Sequence, residues 1–435
     1  MPSYATTTRL LRLSTVTLFL MTVLVWISPV MDWMNTVQTM LGRINNLSMF
    51  AVFVFFALSL FLPPMLRSPK ERSLLLASGA FLLYATIITH IKQENWLVSY
   101  GGLTILYGAV SAGFGAYALA KYGKGLQTRI VIATILTLPA LAMAPIFIAM
   151  DPGAYKPFWL HVYGYSNVRV FGYFAAAVTV ILSGLALGSL KKNLLPQAVA
   201  HFAALSFAWS MLFWGGSRAG MVAVIASIVL CWIISWRKSW VQIPFTIGAS
   251  IAGLGLSALY YTPDNAFGAI NRVQVTVNSM ASGGASQASS GRLEMWQWAW
   301  GKVLEHPFVG HGYLPMSNLR TDAFNYYHTH NIVIEYMLSF GIIAGGLALL
   351  LGIGLWVRAL LAARRIDTPV ATALMMIVTV LPIYAMFSAT LFFPFHMVIF
   401  MLSLGSLIGW DMHLRQPEEI EEPFKAEADW MFEDL

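Results

Sequence analysis

Apolar runs of about 20 residues, each closed off by a polar break, recur twelve times along the chain, near 11–30, 46–65, 73–90, 99–120, 128–150, 170–190, 197–214, 219–236, 243–262, 331–357, 370–391 and 394–412. A run of that size is what a helix needs to cross the roughly 30 Å hydrocarbon core of a bilayer, where the backbone must satisfy its own hydrogen bonds. Composition agrees, since 58% of the residues are hydrophobic and 10% charged, against about 25% charged in a soluble domain. The expected fold class is an all-α integral membrane protein of about twelve transmembrane helices. A cytosolic enzyme, a secreted disulfide scaffold and a nucleic-acid partner are excluded. Cys231 is the single cysteine and lies inside an apolar run, so an intramolecular disulfide and a thiolate metal cluster are impossible.

Lysine and arginine set the orientation. Seventeen of the 26 fall on one side of the alternating loops, among them Arg9, Arg12, Lys121, Arg358, Arg365 and Arg415, and that side is assigned to the cytoplasm. Both termini are then cytoplasmic. The first run has a basic start but no Ala-x-Ala site, and is expected to remain as an uncleaved helix. The chain divides into spans one to nine (1–261), a large outer loop (262–330), spans ten to twelve (331–412) and an acidic tail (413–435).

The outer loop collects the unusual polar residues. It holds a Gly/Ser stretch over 279–291, suited to a lid or to a plain connection. A segment over 292–304 follows, with apolar residues at helical spacing, expected to lie as an amphipathic helix on the outer membrane surface. Its Trp296, Trp298 and Trp300 read as an interfacial belt. Four of the nine histidines, His306, His311, His328 and His330, fall within 25 residues. Their spacing matches no zinc motif, so no metal and no cofactor is expected. A neutral histidine at the water side of a membrane helix suits proton removal from a hydroxyl near neutral pH. Asn331 is a candidate N-cap, and the free N–H groups of that helix start would face an anion.

Arginines on the outer side form a second constellation. Arg218 sits in a very short turn, Gly215-Gly-Ser-Arg-Ala-Gly220, while Arg169 and Arg292 each precede a helical run. A lone arginine at that depth can simply snorkel to lipid phosphate. Three converging with helix N-termini would bind a diphosphate through bidentate guanidinium forks. The chain lacks a Walker A loop, an outer Asp-x-Asp pair and ionisable groups at mid-span, which favours a surface enzyme over an ATPase or a carrier.

These residues resemble the bacterial O-antigen ligases, within the superfamily of O-antigen ligases and polymerases. His330-Asn331, followed after nine residues by Gly341, resembles that family's histidine motif. Ser217-Arg218-Ala219-Gly220 resembles its first arginine turn, and Ser290-Gly-Arg292 with the Trp-rich helix and His306-Pro-Phe-Val-Gly-His-Gly-Tyr313 behind it is similar to the segment carrying the second arginine. The likeness covers about 165–350. It implies a membrane glycosyltransferase similar in plan to the GT-C class, its large periplasmic loop containing short amphipathic helices, in the bacterial inner membrane with the site facing the periplasm. The implied reaction is metal-independent and inverting, from an undecaprenyl diphosphate-linked polysaccharide donor to a lipid A core oligosaccharide acceptor, in lipopolysaccharide biosynthesis. Catalysis would fall to His330, Arg218 and Arg292, with Arg169, His328, His311 and Asn331 binding substrate. An O-antigen polymerase of the same superfamily and a lipid-linked saccharide transporter are the alternatives.

Overall fold

The computed structural model describes residues 69–92, 96–122, 125–150, 168–191, 195–234, 242–260, 268–281, 291–319, 328–388, 390–392 and 394–415. Among them all regular structure is helical, in fourteen α-helices and one 3-10 turn. In chain order these are α1 (Pro69–Lys92), α2 (Trp96–Tyr122), α3 (Leu126–Ile135), α4 (Leu138–Met150), α5 (Val168–Lys191), α6 (Leu195–Trp214), α7 (Arg218–Ile234) and α8 (Gln242–Ser257). Then follow α9 (Ala269–Ala281), α10 (Arg292–Glu305), α11 (Met316–Leu319), α12 (Ile332–Ile366), α13 (Pro369–Ala385) and α14 (Pro394–Leu414). Helices lie at every expected span from 73–90 onward. The expected spans 11–30 and 46–65, residues 282–290 of the Gly/Ser stretch over 279–291, and the tail beyond 415 lie outside the described residues.

Among the described residues four helices are long and apolar enough to cross a membrane: α1, α5, α12 and α14. They differ in place. The apolar window of α5 is 89% buried, against 22% for α1 and 17% for α12. α5 is therefore central, packed with α13 and α6 in the main core, while α1 and α12 present apolar side chains outward. The expected span 128–150 is instead two helices, α3 and α4, separated at Leu136 and Thr137. Pro139 accounts for the break, because it has no N–H for the carbonyl of Ile135 and its ring collides with that carbonyl.

α14 sits against α2 through small residues. A Cβ on Gly405 would meet the carbonyl of Gly113, and one on Gly409 the carbonyl of Tyr117. This four-residue spacing of glycines lets two membrane helices approach backbone to backbone. α14 also orders the two ends of the bundle. Its first turn brings His396 against Tyr173 and Phe174 of α5. At its far end Asp411 accepts a two-pronged bond from Arg365 at 2.8 and 2.7 Å. There too Lys121 pairs with the buried Glu71 at 2.7 Å, and His413 bonds the carbonyl of Lys121. Twenty-one residues of helix separate the ends, about 30 Å at 1.5 Å per residue.

α12 is interrupted. Gly341 has φ 78° and ψ 169°, which divides the helix into a short first part and a long second part. The segment 307–312 fills the break. The N–H groups of His311 and Gly312 donate to the carbonyls of Leu338 and Ser339 at 2.9 Å, and Ile342 N–H donates to Pro307 at 2.7 Å. The Tyr84 hydroxyl bonds the carbonyl of Phe340 at 3.0 Å. Carbonyls freed by the break are thus taken up by protein, as an apolar setting demands. A Cβ on Gly341 would lie 2.5 Å from the carbonyl oxygen of Phe308, and one on Gly310 2.5 Å from Gly341 N.

α9 is amphipathic in an unusual sense. Ile270, Val273, Val277 and Met280 form one exposed stripe, and Ala269 is its one buried residue. The helix is attached by Gly268 N–H, which donates to the carbonyl of Trp214 at 2.8 Å, and by Thr276, which meets Arg218. α10 has one buried face and one exposed face, the latter carrying Leu293, Trp300 and Leu304. It buries Met295, Ala299 and Val303, and packs with Leu338 on the first part of α12.

Gly341→Ala is expected to lower stability by about 1–3 kcal/mol, since that φ/ψ region is open only to glycine. Thermal unfolding of the detergent-purified protein, followed by tryptophan fluorescence, measures it. An unchanged midpoint would contradict the account of the break.

Candidate active site

Three helices begin with arginine at the end of the bundle where α14 starts. Arg169 is the second residue of α5, and Arg218 and Arg292 are the first residues of α7 and α10. A cation at a helix N-terminus opposes the helix dipole. Neither α5 nor α7 has an acidic residue in its first turn to offset this. The three are also brought together. Burial, and then the charges of Arg169 and Arg218, hold the Arg292 guanidinium down to about 10, and Tyr384 and Tyr173 lie within its electrostatic reach.

His330 belongs to the same cluster. Arg169 Nη1 lies 3.0 Å from His330 Nε2. A guanidinium carries donors and no acceptor, so Nε2 accepts and the neutral ring carries its proton on Nδ1. Burial first, then the charges of Arg169, His328 and Arg292, hold the His330 imidazole well below its usual range. Burial holds His328 at about 4. Both rings are therefore neutral at pH 7.

The turn that carries them is fixed at its middle residue. Thr329 N–H donates to the Glu335 carboxylate at 2.7 Å and its hydroxyl donates to the carbonyl of Asn331 at 3.0 Å. The Trp296 indole N–H donates to the Thr329 carbonyl at 2.8 Å. These bonds hold His330 in the left-handed region at φ 55°, a conformation a non-glycine residue keeps only when its surroundings impose it. Asn331 is the N-cap of α12 as expected, accepting from Val333 and Ile334 N–H at 2.9 and 3.1 Å. Those two N–H groups are thereby taken up by the cap itself.

The structure gathers Arg169, Arg218, Arg292, His328 and His330. It places His311 elsewhere. His311 Nε2 bonds the carbonyl of Lys302 at 2.9 Å, its ring stands edge-on to His306 at 4.8 Å, and its backbone joins the break in α12. Trp296 has a role the spacing did not announce, since its N–H anchors the histidine turn, whereas Trp300 is exposed.

Several residues of the cluster were invisible in sequence. Arg218 donates to the Thr276 hydroxyl of α9. Ser217, beside it, bonds the buried Tyr384 hydroxyl of α13, whose ring meets Tyr173 edge-on at 4.8 Å. The Tyr173 hydroxyl in turn bonds Ser388 at 2.6 Å. A tyrosine within an apolar run, or a threonine in a long loop, carries no periodic signal, whereas Glu335, a carboxylate just inside a span, could have been noticed. Among the described residues no three His, Cys, Asp or Glu side chains are grouped to hold a metal ion.

Residues 202–349 match the family model described as O-Antigen ligase. This segment is an O-antigen ligase family domain. It runs from α6 past the break in α12 and contains Arg218, Arg292, His328 and His330; Arg169 precedes it. No curated protein matches the chain. The match covers about a third of the chain, and among the described residues four helices are long and apolar enough to cross a membrane, as a membrane protein requires.

The depressed histidines link stability to pH. In the unfolded chain they take up protons below about pH 6.5, while the folded site resists protonation. Their contribution is fully present above that pH and is lost as the pH falls toward 4. Thermal midpoints measured between pH 7.5 and 5 are expected to fall, and to fall less steeply in His328→Gln. An equal slope in the variant would contradict it.

Proposed function

We propose that the protein is an O-antigen ligase, which moves polysaccharide from undecaprenyl diphosphate to a sugar hydroxyl of the lipid A core oligosaccharide in lipopolysaccharide biosynthesis. The observation that carries this reading is the meeting of three helix-starting arginines around one neutral histidine, within a ligase-family domain. Each arginine stands where its helix dipole and its neighbours disfavour it, and a multiply charged anion relieves both penalties. A diphosphate leaving group has that charge. It also brings the activation for bond formation with it.

In this reading His330 Nε2 takes the proton of the acceptor hydroxyl. The hydroxyl oxygen forms a bond to the anomeric carbon on the face opposite the diphosphate, and the carbon–oxygen bond to the diphosphate breaks with its electron pair leaving on the phosphate. The anomeric centre inverts. Arg218 and Arg292 bind the diphosphate most tightly as that charge develops, which lowers the barrier rather than merely strengthening binding. Arg169 and His328 complete the binding surface. The exposed apolar stripe of α9, the helix whose Thr276 bonds Arg218, suits a donor whose head reaches the arginines while its tail stays in lipid.

The same reading puts the site at the periplasmic face of the bacterial inner membrane, with about twelve spans, both termini in the cytoplasm, and the loop over 262–330 outside. It requires neither metal nor cofactor. A polymerase of the same superfamily differs in using a second lipid-linked unit as acceptor.

Purified protein reconstituted with lipid-linked donor and lipid A core, in chelator, is expected to form the capped product. His330→Ala and Arg218→Ala are each expected to lower transfer by about a hundredfold or more, with the protein still inserted and monodisperse. Capped lipopolysaccharide at wild-type yield from either variant would remove the assignment. Elongation of the donor with the core left bare would instead make it a polymerase.

A further inference from the structure

We infer that Arg169 caps the reactive nitrogen of His330 in the resting protein and gives it up when the donor diphosphate takes the guanidinium, so that the donor binds before the acceptor hydroxyl is activated. This rests on the reading of the site as one for glycosyl transfer from a lipid diphosphate.

The contact itself dictates the conflict. Nε2 has one lone pair in the plane of the ring, and a guanidinium 3.0 Å away points a proton at it. An acceptor hydroxyl needs that same lone pair. The cap and the catalytic bond therefore exclude each other, and one partner has to move. His330 is the less mobile of the two, because Thr329 beside it is bonded to Glu335, Asn331 and Trp296. Arg169 reaches the ring on a long side chain from the first turn of α5, so the arginine is the part that swings.

Arg218 shows the same resting arrangement independently. It donates to the Thr276 hydroxyl, whose own proton goes to the carbonyl of Arg272 at 2.7 Å. The hydroxyl oxygen is therefore a pure acceptor toward Arg218. Two guanidinium groups of one cluster thus each hold a neutral acceptor, an imidazole nitrogen and a hydroxyl oxygen. A phosphate oxygen outcompetes either, because charge-assisted bonds are roughly twice as strong as neutral ones. Donor binding then does two things at once. It draws Arg169 away from Nε2, and its negative charge offsets the arginine field that disfavours a proton on His330. When the sugar oxygen attacks, its proton passes to the uncovered Nε2 and the bonding pair leaves with the diphosphate.

The test is a binding measurement, independent of turnover. Full-length protein in nanodiscs is titrated with lipid A core acceptor, without and with saturating undecaprenyl diphosphate that carries no glycan. In the wild type the diphosphate is expected to tighten acceptor binding about tenfold, within the usual range of coupling between sites. In Arg169→Met, with Nε2 uncovered from the start, acceptor affinity without diphosphate is expected to match the tight wild-type value, and the coupling to shrink below about twofold. Equal wild-type affinity with and without diphosphate would overturn the inference, even if the variant fails to fold. Undiminished coupling in Arg169→Met would overturn it too. Failure of undecaprenyl diphosphate to bind at all would instead remove the parent reading, and this inference with it.

Discussion

A helix surrounded by hydrocarbon can be interrupted only where something else bonds the carbonyls it lets go. That constraint organises the functional end of this protein. At Gly341 the chain leaves helical geometry, and the segment 307–312 supplies N–H groups for Leu338 and Ser339 and accepts one from Ile342. Because the segment follows directly on α10, anchoring it also anchors the end of that helix. The buried face of α10 then sets Trp296 against the Thr329 carbonyl and brings Arg292 into the arginine cluster. The break in one helix thus locates a cation at the start of another.

The cluster is arranged against its own electrostatics. Three arginines meet at helix starts, and a buried imidazole sits among them with its pKa pushed down. The mutual repulsion of the three cations opposes folding, and a multiply charged anion would offset it. The cost is held in place by the main core, where α5 and α13 are almost wholly buried. Tyr384 and Tyr173 extend that core up to the arginines. Stability is concentrated beneath the site, which leaves the site itself free to be strained.

Features that depend on charge against an apolar background could be read directly. Arg169, Arg218 and Arg292 stand out at the edges of long apolar runs, and Asn331 before a helical run announces its cap. Features that depend on tertiary approach could not. The cluster His306-Pro-Phe-Val-Gly-His-Gly-Tyr313 looks like chemistry because it holds histidines, yet its backbone is what the fold uses. Its spaced glycines, taken with Gly341, were the sign of two chains approaching closely. Thr276 and Tyr384 lie in segments where a hydroxyl has no pattern to betray it, whereas Ser217 stood in the arginine turn without its tyrosine partner being visible. The tryptophans of α10 satisfy an interfacial reading and a packed one equally well by spacing, and the bond from Trp296 to the Thr329 carbonyl had no sign in the sequence.

α9 carries its oily side chains outward and touches the remainder of the fold at few points, Gly268 and Thr276 among them. For a substrate built as a charged head on a long isoprenoid, a partition of that kind removes a solvation problem. Under the proposed function the tail would stay dissolved in its native medium throughout the turnover, and extraction of a chain of dozens of carbons into water would not enter the energetics.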